Sequence, residues 1–346
     1  PVLQQHQNAV QRQQALGKIA PLLLAKSRDP AQLIWLDSTS NVKGAPNENY
    51  AREVMELFSL GVGNYTEKDV QEAARAFTGW HTAGNRFVFN KPQHDSGAKT
   101  VLGQTGNWDG TDIVRIVLAQ PAAARFLAGK LFREFVNENV EPPAALLEPL
   151  AVQLRKTDYD MAAVLRTILS SKLFFSQHAY RQRIKSPIEF LVGLVRSLEG
   201  ENISPRELAG NLEGMGQKLF LPPSVKGWDG GKAWLNSATI LTRHNLAWAL
   251  LGGPGEFGRN LEVTAVLERH AAKNPKKQVA FLLDLFLQGD VGKKVPQKLV
   301  AYLKESAGKD EEKKDDKENA FQALAEENSL REVAHTILLL PEYQLA

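Results

Sequence analysis

No cysteine occurs anywhere in the 346 residues. That absence removes disulfides, thiolate metal sites and cysteine nucleophiles from consideration. It suits an exported bacterial protein that avoids stray oxidation, and a cytosolic one nearly as well. Long apolar runs are missing too. A membrane-spanning helix needs about 20 consecutive apolar residues, and the best stretch, Ile240–Leu251, is broken by Thr242, Arg243, His244 and Asn245. Charge of one sign is scarce, with 42 Lys and Arg against 39 Asp and Glu and a formal net charge of +3. With no basic run interleaved with aromatics, this balance makes no case for nucleic acid as a partner. There is no Gly-x-Ser-x-Gly elbow, no phosphate-binding loop and no dinucleotide fingerprint, and a Ser-His-Asp triad is not indicated. No internal repeat and no signal peptide are visible. The chain opens at Pro1 rather than Met, as expected of a processed or trimmed chain, and removal of an export signal is compatible with it.

What is present is ordinary globular composition, 43% hydrophobic and 23% charged, at a length that permits a large core. Helical periodicity dominates. Tyr50, Val54, Leu57, Phe58 and Gly61 share one face at 3.6-residue spacing, and Gly61 suits the left-handed position after a helix end. Thr66-Glu67-Lys68-Asp69 reads as a capping box opening a second helix, with Val70, Ala73, Ala74 and Phe77 inside it and Gly79 as its stop. Arg86–Phe89 and Lys99–Leu102 are strand-like and flank the turn formers of Lys91–Gly97. They predict a single β-hairpin near residues 86–102, the sole regular β-structure. Helices resume from Thr111, with Pro121, Pro143, Pro187 and Pro205 near their starts. Leu219–Gly231 reads as a Pro- and Gly-rich loop, and Trp234–Leu251 as a long helix. Lys309–Glu318, rich in charges of both signs, reads as a solvated loop or frayed helix. The fold class expected is mainly α, a multi-helix globular bundle with one small β-hairpin. Residues 1–251 would form a signature domain and 252–346 a C-terminal helical layer, or the two would run together as one unit.

The run Asn47-Glu48-Asn49-Tyr50-Ala51-Arg52-Glu53-Val54-Met55-Glu56-Leu57, followed by Tyr65-Thr66, Asp69-Val70 and Ala74-Arg75-Ala76-Phe77-Thr78-Gly79-Trp80, resembles the core of the bacterial domain of unknown function 1800 family. His94-Asp95-Ser96-Gly97-Ala98-Lys99, Lys185-Ser186-Pro187-Ile188-Glu189, Gly227-Trp228-Asp229-Gly230-Gly231-Lys232-Ala233-Trp234-Leu235 and Leu340-Pro341-Glu342-Tyr343-Gln344 extend the likeness over most of the chain. The resemblance implies export across the bacterial inner membrane, to the periplasm or cell surface, and a frequent genetic neighbour, another exported protein resembling sulfatases; an exported protein is a candidate partner. It also implies a further helical segment upstream, either removed or supplied by another chain. It implies no reaction.

Several constellations admit a sharp reading and a plain one. On the first helix Glu48, Arg52, Glu56 and Ser59 share a face with Glu53 at its edge. They form either a carboxylate pair for acid–base work or a hard metal ion, or an i,i+4 ladder that stabilises the helix. Asn47 suits an N-cap, whereas Asn49 in a first turn is a poor helix former and is expected to bond a neighbouring loop. His94, with Asp95 beside it, could ligate a metal with Glu53 and Glu56, or hold the turn; His81 is a weaker second. Trp80, Trp228 and Trp234 lie among glycines, where a ring can face a ligand or fill a core. Lys99, Arg52 and Asn49 complete the ligand-binding candidates. Arg52, Glu56 and Arg75 are expected to form one ionic network joining the two signature helices, with Glu72 placed to pair with Arg75 at i+3. No cofactor is indicated, although a divalent metal fits the carboxylates. The favoured function is a non-enzymatic binding or assembly module acting with a partner protein or a cell-surface polymer. The alternative is a metal- or carboxylate-dependent hydrolase of an extracellular polymer, with Glu53, Glu56, His94 and Asp95 as its chemistry and Arg52 as its anion contact.

Overall fold

Helix starts are encoded as reciprocal caps. The Thr66 hydroxyl accepts from the Asp69 amide, and the Asp69 carboxylate accepts from the Thr66 amide, opening the helix Glu67–Phe77. Asp109 with Asp112, Ser186 with Glu189, and Asn236 with Thr239 repeat the device at Gly110–Leu118, Pro187–Ser197 and Ser237–Leu251. Pro121, Pro187 and Pro205 occupy the first position of their helices, where a missing amide proton is not needed. The computed structural model describes residues 2–201, 203–252, 261–308 and 316–346, with side chains described outside 307–323. Of the charged run Lys309–Glu318, residues 309–315 lie outside the described residues. Sixteen α-helices and two small antiparallel sheets are found among the described residues, so the protein is mainly α.

The strand-like runs are both strands, but they do not pair with each other. Strand β1, Trp80–Ala83, pairs with β2, Arg86–Phe89, in the register Trp80 to Phe89 and Ala83 to Arg86. Strand β3, Lys99–Val101, pairs with β4, Gln104–Gly106, with Lys99 opposite Gly106 and Val101 opposite Gln104. Each strand finds a partner two residues away. Gly84 turns the first hairpin at φ +58°, and Leu102 and Gly103 turn the second at +48° and +79°, the doubly left-handed pattern of a tight hairpin turn. Closing such a turn costs less chain entropy than bridging the longer excursion between β2 and β3. That excursion instead holds a short 3₁₀ turn, Lys91–Gln93. Regular β-structure therefore covers 80–106, in two hairpins, rather than one at 86–102.

The contacts divide the chain into two compact units, Pro1–Tyr180 and Arg181–Ala346. In the first, Glu67–Phe77 packs against Asn49–Glu53 on one side and β3 on another, and Gly110–Leu118 packs on Ile19–Ser27. An edge-to-face aromatic series runs through its core, Tyr50 to Phe77 at 4.9 Å, Phe77 to Trp80 at 5.3 Å and Trp80 to Phe87 at 5.2 Å. In the second unit a single apolar cluster gathers Phe190, Leu194, Leu250, Val266, Leu282, Phe286 and Ile337. The helix Ser237–Leu251 belongs to that cluster through Leu246, Ala247, Leu250 and Leu251. The division at 180/181 thus differs from the expected one at 251/252, because this helix buries its apolar face against later helices. Within it Arg243, fully buried, donates to the Lys185 carbonyl at 2.7 Å and to Gln344 Oε1 at 3.0 Å.

Candidate functional site

The signature helix changes its winding midway. It is α-helical over Asn49–Glu53 and π-helical over Val54–Ser59. The Leu60 amide donates to the Met55 carbonyl at 2.8 Å, and the Ser59 hydroxyl to the Val54 carbonyl at 2.6 Å. Burial follows the wider turn. Tyr50, Met55 and Leu60 are buried at five-residue spacing, as are Val54 and Ser59, while Leu57 and Phe58, expected on the core face, are half-buried. Such turns are rare and concentrate at functional sites.

The change of winding redistributes the charges. Arg52 keeps the expected contact to Glu48, at 3.1 Å, but its guanidinium fork closes on Glu67 of the next helix, at 2.8 and 2.6 Å. Glu56 lies beyond the transition and accepts instead from the Tyr65 hydroxyl at 2.7 Å. Burial and then the Glu56 carboxylate push that phenol up to about 12. Asn47 accepts from the Asn49 amide at 2.9 Å and so closes the helix start. The Asn49 side chain is exposed and makes no hydrogen bond among the described residues, contrary to the loop contact expected of it.

A second cluster lies at the far end of Glu67–Phe77. Arg75 donates to both Glu72 oxygens at 3.0 Å, the i+3 pair foreseen, and through Nε to Asp95 at 2.8 Å. The Arg75 guanidinium holds the Asp95 carboxyl down at about 2. Asp95 also accepts from the Gly97 amide, and its own amide donates to the Thr78 hydroxyl, each at 2.8 Å. Lys99, only 1% exposed, donates to the carbonyls of Asp95 and Gly97, and burial lowers its pKa. His94 Nδ1 sits 2.9 Å from the Thr78 carbonyl. A carbonyl only accepts, so Nδ1 donates, and in the neutral imidazole Nε2 has the lone pair. The single Arg52–Glu56–Arg75 network expected from helical spacing is therefore two separate clusters, one at each end of the second helix.

Glu53 stands apart. It is half-buried and makes no hydrogen bond or ion pair among the described residues, and burial, then Glu56, raises its pKa. Glu53, Glu56 and His94 are not gathered: no group of three or more His, Asp or Glu among the described residues is arranged to hold a metal ion. Trp80 is 3% exposed within the aromatic series. Trp234 is buried in the second unit and Trp228 half-buried in the loop before it. His81, on β1, has a buried Nε2 without a hydrogen-bond partner.

Residues 1–345 match the family described as a protein of unknown function, DUF1800. The chain belongs to the DUF1800 family. No curated protein and no solved structure matches it. The DUF1800 signature as folded here also recruits Glu67, Tyr65, Thr78 and the buried Asn41, whose amide donates to the Ala74 carbonyl at 2.9 Å. Spacing along one helix could not nominate these partners. The capping box offered one signal, since it places Glu67 in the first turn of the helix. No helix among the described residues of this DUF1800 chain is long and apolar enough to cross a membrane.

Proposed function

We propose that this DUF1800 chain is a non-enzymatic binding or assembly module, acting with a partner protein or a cell-surface polymer. The observation that supports this reading is the mutual engagement of the signature charges. Arg52 is committed to Glu48 and Glu67, Arg75 to Glu72 and Asp95, Glu56 to Tyr65, and Lys99 to two carbonyls. Groups tied in this way fix one arrangement of the backbone. A general acid or base must instead reach a substrate proton with a pKa near the working pH, and Asp95, held at about 2 by Arg75, is far from it. Export to the periplasm or cell surface is part of the proposal and rests on the family resemblance alone.

One observation favours the alternative hydrolase. Glu53 is a half-buried carboxyl with a raised pKa and no ion-pair partner among the described residues, the environment a carboxylic general acid needs. The two readings separate in one measurement. The protein is mixed with purified bacterial cell-wall sacculi, and both its sedimentation and the release of soluble reducing groups are followed. Co-sedimentation without release, equal for the native protein and Glu53→Gln, is the expected result. Release that disappears in Glu53→Gln would establish the hydrolase.

A further inference from the structure

In the second unit the helices Ser237–Leu251 and Lys294–Gly308 both pack against Asp316–Leu339. A groove of about 670 Å³ lies among them, lined by Asn245, Trp248, Lys298, Tyr302, Glu332 and His335. These residues come in same-face pairs on three helices, 245 with 248, 298 with 302, and 332 with 335. Each helix therefore presents one aligned edge to the groove. The volume is within the roughly 300–1,000 Å³ of small-ligand sites.

Two aromatic rings are left in solvent here, Trp248 at 43% exposure and Tyr302 at 40%. Both are held in place. The Trp248 ring lies 5.1 Å from the His335 imidazole at a tilt of 55°, and the Tyr302 hydroxyl donates to the Glu332 carboxylate. His335 Nε2 faces the His244 carbonyl at 3.0 Å. That nitrogen therefore donates, and in the neutral imidazole Nδ1 has a lone pair. Asn245 and Lys298 make no side-chain hydrogen bond or ion pair among the described residues, so their hydrogen-bonding capacity is unused.

Rigid aromatic planes ringed by unused donors and acceptors match the chemistry of a pyranose. Such a ring has apolar C–H faces and hydroxylated edges, and Trp and Tyr supply wide contact area at low entropic cost. An amide, an ammonium, a carboxylate and an imidazole lone pair then answer hydroxyls that both donate and accept. The lining carries one ammonium and one carboxylate, so the groove has no excess of positive charge to neutralise phosphates, which a nucleotide or nucleic acid would need.

We propose that this groove binds a short stretch of a neutral, pyranose-based glycan, with Trp248 and Tyr302 as its stacking platforms. It gives the binding reading above a ligand class and rests on that reading, at a site separate from the signature clusters. The test is affinity electrophoresis of the full chain in gels containing hydroxyethylcellulose, xylan or glycol chitin, followed by titration with the matching tetrasaccharide. The native protein is retarded in at least one gel. Trp248→Ala lowers affinity about tenfold or more, as truncating a central aromatic anchor does. Asn245→Ala, at an exposed position, weakens binding severalfold, and it serves as the second variant if Trp248→Ala melts early. Phe220→Ala, removing an exposed ring outside the groove, binds as the native protein does. Absence of retardation in all three gels overturns the proposal, as does native affinity in both groove variants. Co-sedimentation with sacculi that survives either result leaves the module reading standing without this ligand. Release of reducing groups would instead overturn the module reading itself.

Discussion

A buried ammonium is costly unless its protons are used. Lys99 spends two of them on the carbonyls of Asp95 and Gly97, while the Asp95 carboxylate turns outward to Arg75. Two cations thus hold one turn, the first by its main chain and the second by its side chain. The pH dependence of stability follows from the Asp95–Arg75 pair. Arg75 holds Asp95 at about 2, against about 3.9 in an unfolded chain. A depressed carboxyl contributes stability above its unfolded value and loses it as pH falls through the folded one. The contribution is therefore full above about pH 5 and fades toward about pH 2, at about 1–2 kcal/mol after allowance for solvent screening. Urea unfolding of the native protein and Asp95→Asn should differ by that amount near about pH 6, keep roughly a third of the gap near about pH 2.5 and converge only below about pH 2; a constant gap would show that the pair is not its source. At this scale the sequence was legible where partners are helical neighbours. Glu72 and Arg75 are three residues apart and pair as spacing implies. Asp95 is twenty residues from Arg75 across two turns, and no periodicity measures that distance. Glycine-rich context likewise failed to distinguish the buried rings of Trp80 and Trp234 from the half-buried Trp228.

Elements in the signature region are joined by side chains acting as backbone. Asp69 accepts from the Thr66 amide with one oxygen, at 2.9 Å, and from the Leu102 amide with the other, at 2.7 Å. Glu72, one turn on, accepts from the Thr100 amide at 3.0 Å. The two carboxylates meet alternate amides of β3 and its turn, the edge that β4 does not pair. They do for that edge what another strand would, and cover it against association. Leu102 is the position where this matters most, since its φ of +48° is unfavourable for a leucine. Asp69→Ala removes a cap and the anchor of that turn together, and should destabilise the protein by about 1–3 kcal/mol. Amide exchange over residues 99–106 should accelerate more than exchange in the helix Gly110–Leu118, and equal acceleration in both would refute the anchoring role. The capping box itself was legible because cap chemistry is local. The π turn at Val54–Ser59 and the pairing within each hairpin were not. A period of 3.6 describes only the α winding, and two strands of similar composition do not declare which neighbour they join.

At the scale of the whole chain, helical content was legible from periodicity, whereas the grouping of helices depends on which apolar face meets which. The helix Ser237–Leu251 shows why. Its stripe of Leu246, Ala247, Leu250 and Leu251 looks the same whether it covers earlier or later helices, and the structure places it in one cluster with Val266, Leu267, Leu282, Leu283 and Phe286. Cutting after residue 251 would strand that stripe, at roughly 1.5–3 kcal/mol for each large apolar side chain returned to water. Cutting after Tyr180 leaves the first unit with its own core, from Leu33 and Tyr50 through Phe77 and Trp80 to Ile113 and Phe132. Residues 1–180 expressed alone should therefore be soluble and melt in one cooperative transition by circular dichroism. Residues 1–251 should aggregate, or bind a hydrophobic dye that 1–180 does not. If 1–180 instead lacks a cooperative transition while 1–251 melts as sharply as the full chain, the helix Ser237–Leu251 stabilises the first unit, and the two units do not fold independently.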